Sequence, residues 1–378
     1  VTSRLRIAAV EPYFGGSHAH FLAGLQQHSR HEIVPFTLPP RQWKWRVRGA
    51  ALHLARGLNA DARFDVLLGS DFVNVPDLRA LLMPQLRAVP MLYYLHENQL
   101  TYPLSPDEEF DPYFGFTNVL SCLSAEAVAF NSEFHRREFL RELPGFLPRL
   151  PDYEPRWVVD TIRDRARVLP VGLDLDELDR LRPPERAENR PRRVLWNHRW
   201  EFDKHPERFF AALEALASRN VPFVADVVGE SFARQPPIFD AARARLGSRL
   251  GRFGFVASRS EYVQLLWQSD VVVSTAQQEF FGISMAEAVW CGAHPIAPRA
   301  LVYEDLYGGP GSDARLYTDD AGLERLLERA LTAPDPGAGD ALRARLRAFA
   351  WPDVAAQFDA CFESLHESRP HPVRPKSS

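Results

Sequence analysis

The sequence predicts an α/β protein of two doubly wound parallel-sheet domains, and three observations predict it. Short apolar runs end in glycine turns that open helices: Leu5–Val10 leads to Gly15-Gly16, and Val271-Val272-Val273 leads to Gly282. That alternation of strand, turn and helix is the pattern of a parallel sheet covered by helices. A proline-rich, highly charged stretch, Arg182–Pro191, separates two such sets. The length of 378 residues, 46% of them hydrophobic, suits two domains that each bury a core.

In chain order, Leu5–Val10 reads as the first strand, Glu11–Ser17 as a glycine turn and His18–His28 as a helix. Further strands are expected at Val66–Leu68, Met91–Leu95 and Val128–Phe130, with helices between them. The proline content of Leu143–Arg156 predicts irregular chain. The second domain starts at about Val194, with strands including Phe223–Val228, Gly251–Phe255 and Asp270–Ser274. Trp351, Val354, Phe358, Phe362 and Leu365 fall at helical spacing, so Trp351–Glu367 is an amphipathic helix whose stripe faces a core. The expected division is 1–185, 186–350, a terminal helix 351–367 and a disordered polar tail 368–378.

Composition excludes some classes. A net charge of -4 gives no global basic field, so any nucleic-acid contact must come from local patches. Lysine and arginine total 45, yet only Lys44, Lys204 and Lys376 are lysines. A lysine kept in so arginine-biased a chain is informative, and Lys204 reads as a compact charge on phosphate. Cys122, Cys291 and Cys361 are odd in number and far apart, which suggests neither a disulfide framework nor a zinc spacing and points to a reducing compartment. No apolar run is long enough to span a membrane, and a cytoplasmic protein without an obligate protein partner is expected.

The segment Glu279–Glu287 concentrates the chemistry. It sets two carboxylates eight residues apart around a glycine turn at a strand's carboxyl end, where ligands bind in open α/β sheets. The backbone N–H groups of Gly282, Ile283 and Ser284 would face a diphosphate at a helix N-terminus, and Glu279 and Glu287 would accept from sugar hydroxyls. The competing reading makes Ser284 and Glu287 a capping box. His96, followed by Glu97-Asn98-Gln99, is a second concentration of polar groups at a strand end. Gly15-Gly16-Ser17 is a third, after the first strand. Asp226 and Asp270 read as caps or solvated strand ends. Arg41–Arg56 carries five cations, no acid and two tryptophans, which makes it either a nucleic-acid surface or an amphipathic helix with inward tryptophans.

The Glu279–Glu287 segment resembles the E-x7-E donor signature of the retaining GT-B glycosyltransferases. Arg252–Val256, Glu261–Ser274 and Glu279 onward follow that family's order, and Val194–Arg199 with Lys204 looks like its diphosphate clamp, with His198 where glycine is usual. Arg167–Asp176 resembles the last strand and crossover of the first domain. This resemblance implies two Rossmann-like domains facing a central cleft, and no metal: Arg, Lys and the helix N-terminus neutralise the diphosphate. Asp174-x-Asp176, which looks like the metal pair of the other major glycosyltransferase fold, therefore carries no such role.

More specific are Glu11–His18, Thr37–Arg46, His96–Pro103, Asn118–Leu123 and Phe130-Asn131-Ser132, which resemble the tRNA-queuosine mannosyltransferase family along the whole chain. The resemblance implies retaining transfer of mannose from GDP-mannose to the cyclopentenediol of queuosine at the wobble position of tRNA-Asp. It implies a catalytic set of His96, Glu279, Arg199 and Lys204. The donor would meet Gly15, Gly16, Arg199, Lys204, Gly254, Phe255, Val256, Glu279, Phe281, Gly282, Ile283, Ser284 and Glu287. The acceptor would meet Ser17, His18, Trp43, Lys44, Trp45, Arg46, Glu97, Asn98 and Gln99. A lipid or small-metabolite glycosyltransferase and a non-catalytic tRNA-binding protein are the alternatives; the joint presence of Arg199, Lys204, Glu279 and Glu287 argues for a donor site.

Overall fold

A computed structural model describes residues 3–61, 63–105, 108–184, 190–230, 236–333 and 338–368. The expected disordered tail therefore lies, apart from Ser368, outside the described residues. The chain forms two compact units. One holds Val1–Tyr102, Glu109–Gly172 and Trp351–Ser378; the other holds Pro103–Glu108 and Leu173–Ala350.

The first unit is built on a parallel sheet of β1 (Arg6–Glu11), β2 (Glu32–Thr37), β3 (Val66–Ser70), β4 (Met91–Leu95), β5 (Ala127–Phe130) and β6 (Ala166–Val168), in the order β2-β1-β3-β4-β5-β6. The chain steps outward from β1 to β2 and then returns to the other side of β1, so the order reverses between β1 and β3. That reversal is the topological switch point, where an open sheet leaves a crevice at its carboxyl end.

The second sheet follows the same plan, with β7 (Arg193–Asn197), β8 (Val224–Val228), β9 (Leu250–Gly254), β10 (Val271–Val273), β11 (His294–Pro298) and β12 (Leu316–Tyr317) in the order β12-β11-β10-β7-β8-β9. Its switch point lies between β7 and β10. Central strands such as β3 and β4 are buried at every residue, which explains why they read as continuous apolar runs.

Strands at or near the sheet edges were less legible. Edge strand β2 tolerates Pro35 because an edge needs no N–H on its open side. β11 begins and ends beside prolines, and β12 has two residues.

Two expectations are corrected. Leu143–Arg156 is not irregular from its start: the helix Glu133–Phe146 runs through Pro144 into a 3-10 turn at Leu147–Arg149. Burial of Leu143, Phe146 and Leu147 in the core outweighs the helix bond lost at Pro144. Asp226 and Asp270 are not caps or solvated ends. Asp226 is fully buried and bidentate to Arg193 at 2.6 and 2.8 Å, and Asp270 pairs with Arg190 at 2.8 Å. Both carboxylates also accept backbone N–H groups, from Arg252 and Arg193.

The helix Trp351–Glu367 packs on the first unit. A Cβ at Gly24 or Gly172 would lie 2.1 or 2.2 Å from the Trp351 ring, so both glycines make room for that indole. Phe358 packs 5.4 Å from both Phe21 and Tyr94. Each such buried side chain contributes about 1.5–3 kcal/mol, which fixes this helix under the site described next. Among the described residues no helix is long and apolar enough to cross a membrane.

Candidate active site

In the second unit the polar cluster sits at the switch point. Asn197, ending β7, donates to Ser284 O (2.8 Å) and Tyr262 Oη (3.0 Å), tying the strand to the following site helix. Next in the chain, His198 turns its imidazole inward, with Nε2 3.3 Å from Val273 O. Burial, reinforced by Lys204, pulls it down to about 4, so it is neutral at physiological pH. The backbone of this loop is closely approached at Gly229, where a Cβ would lie 1.8 Å from His198 O.

Lys204 is buried and held by oxygen on three sides: Gln278 O at 2.7 Å, Asp203 Oδ2 at 3.1 Å and Glu279 Oε2 at 3.5 Å. Burial alone would discharge it, but Glu279 and Asp203 outweigh burial and raise its pKa, so it remains an ammonium. Arg199 is more open and pairs with Glu201 at 3.1 Å.

Three expectations change at the Glu279–Glu287 segment. The Gly282 N–H does not await a phosphate; it donates to Glu279 Oε1 at 3.1 Å, while Gly282 at φ 79 caps the helix Ile283–Trp290. The amides of Ile283 and Ser284 stand in that helix's first turn. The Phe281 side chain turns inward, buried and edge-on to Phe349 with centroids 5.2 Å apart, and leaves only its backbone to the loop. The capping-box reading fails, because Glu287 meets Arg259 at 2.7 and 3.3 Å rather than the Ser284 N–H. Arg259 also reaches Glu177 at 2.8 Å; its pKa is raised because the two carboxylates outweigh burial.

Gly254 (φ 116), exposed Phe255 and Val256 close the end of edge strand β9. No hydrogen bond or ion pair among the described residues joins them to the Lys204–Glu279 cluster. Asp174 is spent on a helix cap, accepting from Glu177 N at 2.9 Å.

In the first unit the strand ends at the switch point carry Glu11 (β1), Ser70 and Asp71 (β3) and His96 with Glu97 (β4). Glu11 accepts from Tyr13 N (2.7 Å) and pairs with His18 Nδ1 (2.9 Å). The His18 ring lies 4.1 Å from the His96 ring. Burial opposes protonation of His18, but Glu11, Asp71 and Glu97 overcome it and push its pKa up to about 9.

His96 moves the other way, lowered by burial and then by the neighbouring His18. The pair is thus one cationic and one neutral imidazole. Asp71 accepts from His96 N (3.3 Å), and its pKa is raised by burial, then by Glu97 and Glu11 against the opposing pull of His18. Asn131 holds the His96 carbonyl (2.8 Å) and is itself held by His135 Nδ1 (2.8 Å).

Glu11, Ser70 and His96 line a small cavity walled by Phe21 and Tyr94. Ser70 Oγ and His96 Nε2 are buried there without a hydrogen-bond partner among the described residues. Glu11, His18 and His96 offer ligand-type atoms within 4.8 Å of one another, a set able to take a cation as well as a polar group.

The neighbouring donor and acceptor expectations divide. Gly15 passes under Pro40, where a Cβ would sit 2.4 Å from the ring, and Gly16 adopts φ 51 at the start of the helix Gly16–His28, leaving Ser17 exposed. Asn98 is not open to a substrate: it is fully buried and accepts from Leu100 N and Thr101 N to shape the loop. Gln99 donates to Glu97 (3.1 Å).

On the helix Trp43–Ala60, Trp43 packs inward on Phe114 (5.0 Å), and Trp45 is 61% exposed. Lys44 lies 5.5 Å over the Trp43 ring, Arg46 bonds Pro39 O (3.1 Å) and Arg48 pairs with Asp111 (3.0 Å). The inward-packed reading thus holds for Trp43, while Trp45 stands exposed. Site residues that sequence reasoning gave no role are Glu11, Ser70, Asp71, Asn131 and Arg259. The first four end strands or directly follow them, and the strand-end rule applied to every strand finds them.

Comparison with known proteins identifies what the chain is similar to. The family model "tRNA-queuosine alpha-mannosyltransferase N-terminal" matches residues 6–173, and "Glycosyl transferases group 1" matches residues 179–307. Among solved structures, sucrose-phosphate synthase from Thermosynechococcus elongatus aligns with TM-score 0.73 at 17% identity, covering 97% of this chain and all of that one. Anabaena HepE in complex with UDP and glucose aligns with TM-score 0.68 at 16% identity, covering 96% of this chain and all of that one. Both share the fold of two Rossmann-like domains. The tRNA-queuosine alpha-mannosyltransferase of Drosophila melanogaster is 37% identical over 308 residues, 80% of this chain and 81% of the relative. Identity of that depth across both halves shows that this chain belongs to the tRNA-queuosine alpha-mannosyltransferase family and is a glycosyltransferase of the GT-B fold.

Proposed function

We propose that this enzyme moves mannose from GDP-mannose to the cyclopentenediol of queuosine at the wobble position of tRNA-Asp, with retention of configuration. The observation that carries the reading is the family match over residues 6–173, the part of the chain that holds Glu11, His18, His96 and Trp45. The name of the Drosophila relative supports the sugar and the modified base together.

In this reading Glu279 holds hexose hydroxyls and Glu287, set by Arg259, holds the ribose diol. Lys204, Arg199 and the first-turn amides of Ile283 and Ser284 stabilise the charge that builds on the leaving diphosphate. The Gly282 amide joins them only when Glu279 turns from it to the sugar. Gly254–Val256 meet the base, and Gly15 and Gly16 meet donor phosphate. No metal is required, because these cations and amides supply the neutralisation.

The bond between the anomeric carbon and the phosphate oxygen breaks as the acceptor oxygen bonds to the same face. The acceptor proton passes to the departing phosphate oxygen, so no strong protein base is needed. Neutral His96 orients hydroxyl groups rather than carrying charge. Trp45 and its basic neighbours meet the RNA, where indoles stack on bases and cations track phosphates.

Mass spectrometry of nucleosides from queuosine-containing tRNA incubated with the protein and GDP-mannose tests the reading, with other sugar nucleotides in parallel. The expected product is queuosine plus one hexose, from GDP-mannose. Donor binding without transfer to queuosine would overturn the acceptor, and transfer from a different nucleotide would overturn the donor.

A further inference from the structure

The helix Trp43–Ala60 has a face that the packing of the first unit leaves open. None of its 18 residues is acidic, and its buried side is made by Val47, Ala50, Leu54 and Leu58. Asp111, which reaches this helix from outside, is paired with Arg48 at 3.0 Å. On the open side Trp45 is 61% exposed and Leu52 67% exposed. Arg56 is exposed too, and its guanidinium forms no hydrogen bond or ion pair among the described residues. Trp45, Leu52 and Arg56 fall on one line of the helix, because seven and eleven residues are close to two and three full turns; from Trp45 to Arg56 that line runs roughly 16 Å.

Gly49 shows how the indole is held. A Cβ at position 49 would lie 3.1 Å from Cε2 of Trp45, 3.2 Å from Cζ2 and 3.4 Å from Nε1. The middle atom of the three is the nearest, which is the order met above the face of a ring and the reverse of the order met at its edge. The ring therefore lies face-down across the glycine, and its exposure belongs to the opposite face. Glycine weakens a helix interior relative to alanine, and no positive φ calls for it at position 49. What its missing side chain provides is the seat of the indole.

An open aromatic face beside an unpaired cation, on a helix without acids, suits a strand whose bases are free to stack, since every base has a π-face and cations follow phosphates. A duplex does not suit it, because paired bases are already stacked on one another and an A-form helix is met through its backbone. We propose that this face selects a single-stranded loop of the RNA. One unpaired base stacks on the open face of Trp45, Arg56 meets a phosphate of the same RNA, and Gly49 is the positioning residue that keeps the indole face-down. The inference rests on the tRNA reading and deepens it, from contact with RNA to the kind of RNA and the residue that prepares the contact.

The test measures binding of the full chain, by anisotropy at fixed salt, to an anticodon stem-loop and to the same stem as a loopless duplex. Gly49→Leu fills the seat with a good helix former, so it should not lower Tm, yet it should weaken stem-loop binding by about tenfold, as Trp45→Ala does. Gly49→Ala should act in the same direction and less. Combining Gly49→Leu with Trp45→Ala should be no weaker than Trp45→Ala within about twofold, because Gly49 acts through the indole. Arg56→Gln should reduce the salt slope of stem-loop binding by about 0.7. Duplex binding should be the same for wild type, Gly49→Leu and Trp45→Ala, and donor-dependent thermal stabilisation should be unchanged in every variant. Wild-type binding by both glycine variants while Trp45→Ala is weakened would overturn the positioning role. Equal losses on stem-loop and duplex would overturn the selection of a single strand, and wild-type binding by Trp45→Ala would overturn the platform, with the queuosine reading intact in each case. Binding to vesicles of phosphatidylcholine and phosphatidylserine that Trp45→Ala abolishes while RNA binding is unchanged would give the face to a membrane surface and overturn it as well. A wild-type protein that neither binds the stem-loop nor glycosylates queuosine tRNA would instead remove the tRNA reading, and this inference with it.

Discussion

The two switch-point clusters pose the same electrostatic problem, a buried cation among carboxylates, and differ in what stands beside that cation. At the end of β7 and β10 a buried ammonium, Lys204, is surrounded by Gln278 O, Asp203 and Glu279. At the end of β1, β3 and β4 a buried imidazolium, His18, is surrounded by Glu11, Asp71 and Glu97, and a neutral imidazole stands against it. In the first case the carboxylates keep the ammonium charged against the pull of burial, as the proposed diphosphate role requires. In the second the cation offsets the repulsion among the acids, and a neutral imidazole packs against it. A doubly wound sheet thus supplies a place for chemistry, and what stands beside the buried cation, a backbone carbonyl at Lys204 or a neutral imidazole at His18, distinguishes the two places.

The largest effect expected is at Lys204. Lys204→Ala strands Asp203 and Glu279, which should cost about 3–5 kcal/mol of stability in thermal or denaturant unfolding. With saturating donor it should also lower turnover by about 100- to 1000-fold, the scale for losing one stabiliser of departing charge. Near-normal turnover would break the comparison on the donor side.

Next comes pH. His18 has a folded pKa of about 9 against about 6.5 unfolded, so its contribution is complete below pH 6.5 and disappears as pH rises through 9. The difference corresponds to roughly 3 kcal/mol at most. Asp71, also raised, contributes with the same sign at lower pH. His198, held to about 4, works in reverse: the unfolded state binds the extra proton between about pH 6.5 and 4, so stability falls on acidification. His96 and His135, also lowered, add to the acid slope. Denaturant titrations across pH should therefore show loss on both sides, and His18→Gln should remove the part of the loss that falls between about pH 6.5 and 9, leaving that of the buried thiols and tyrosines above it. An unchanged alkaline slope in that variant would mean that Glu11 does not hold a proton on His18.

A smaller effect is expected at Trp45. Trp45→Ala should weaken tRNA binding by about tenfold in a salt-controlled filter or anisotropy assay, the scale of one lost stacking contact, while leaving stability unchanged. Trp43→Ala should do the converse, lowering stability through lost packing on Phe114. The smallest effect is at Gly282. Gly282→Ala places a Cβ at φ 79, costing about 1–2 kcal/mol of backbone strain in the turn that carries Glu279. Donor-dependent thermal stabilisation should shrink accordingly.

Much of this was legible before folding. Buried central strands read as apolar runs, Trp351–Glu367 read as a helix from its stripe, and the polar groups at His96 and Glu279 lie beside strand ends as expected where a parallel sheet opens. Periodicity failed where the chain sits at or near a sheet edge, as with Pro35 in β2 and the two-residue β12, because edge strands need neither a full ladder nor a long apolar run.

What the amino-acid sequence by itself determined was therefore the two sheets, their strand-end loops and the kinds of side chain placed there, since these follow from short-range pattern. Partnership was decided only by tertiary structure. Glu287 belongs to Arg259 rather than to Ser284, the Gly282 N–H to Glu279, and Glu11 to His18. The inward turn of Trp43 and the outward turn of Trp45 were settled in the same way. Which charge meets which depends on distances between residues brought together by the sheet, and in a buried site those distances, through the local dielectric, decide which groups carry a proton.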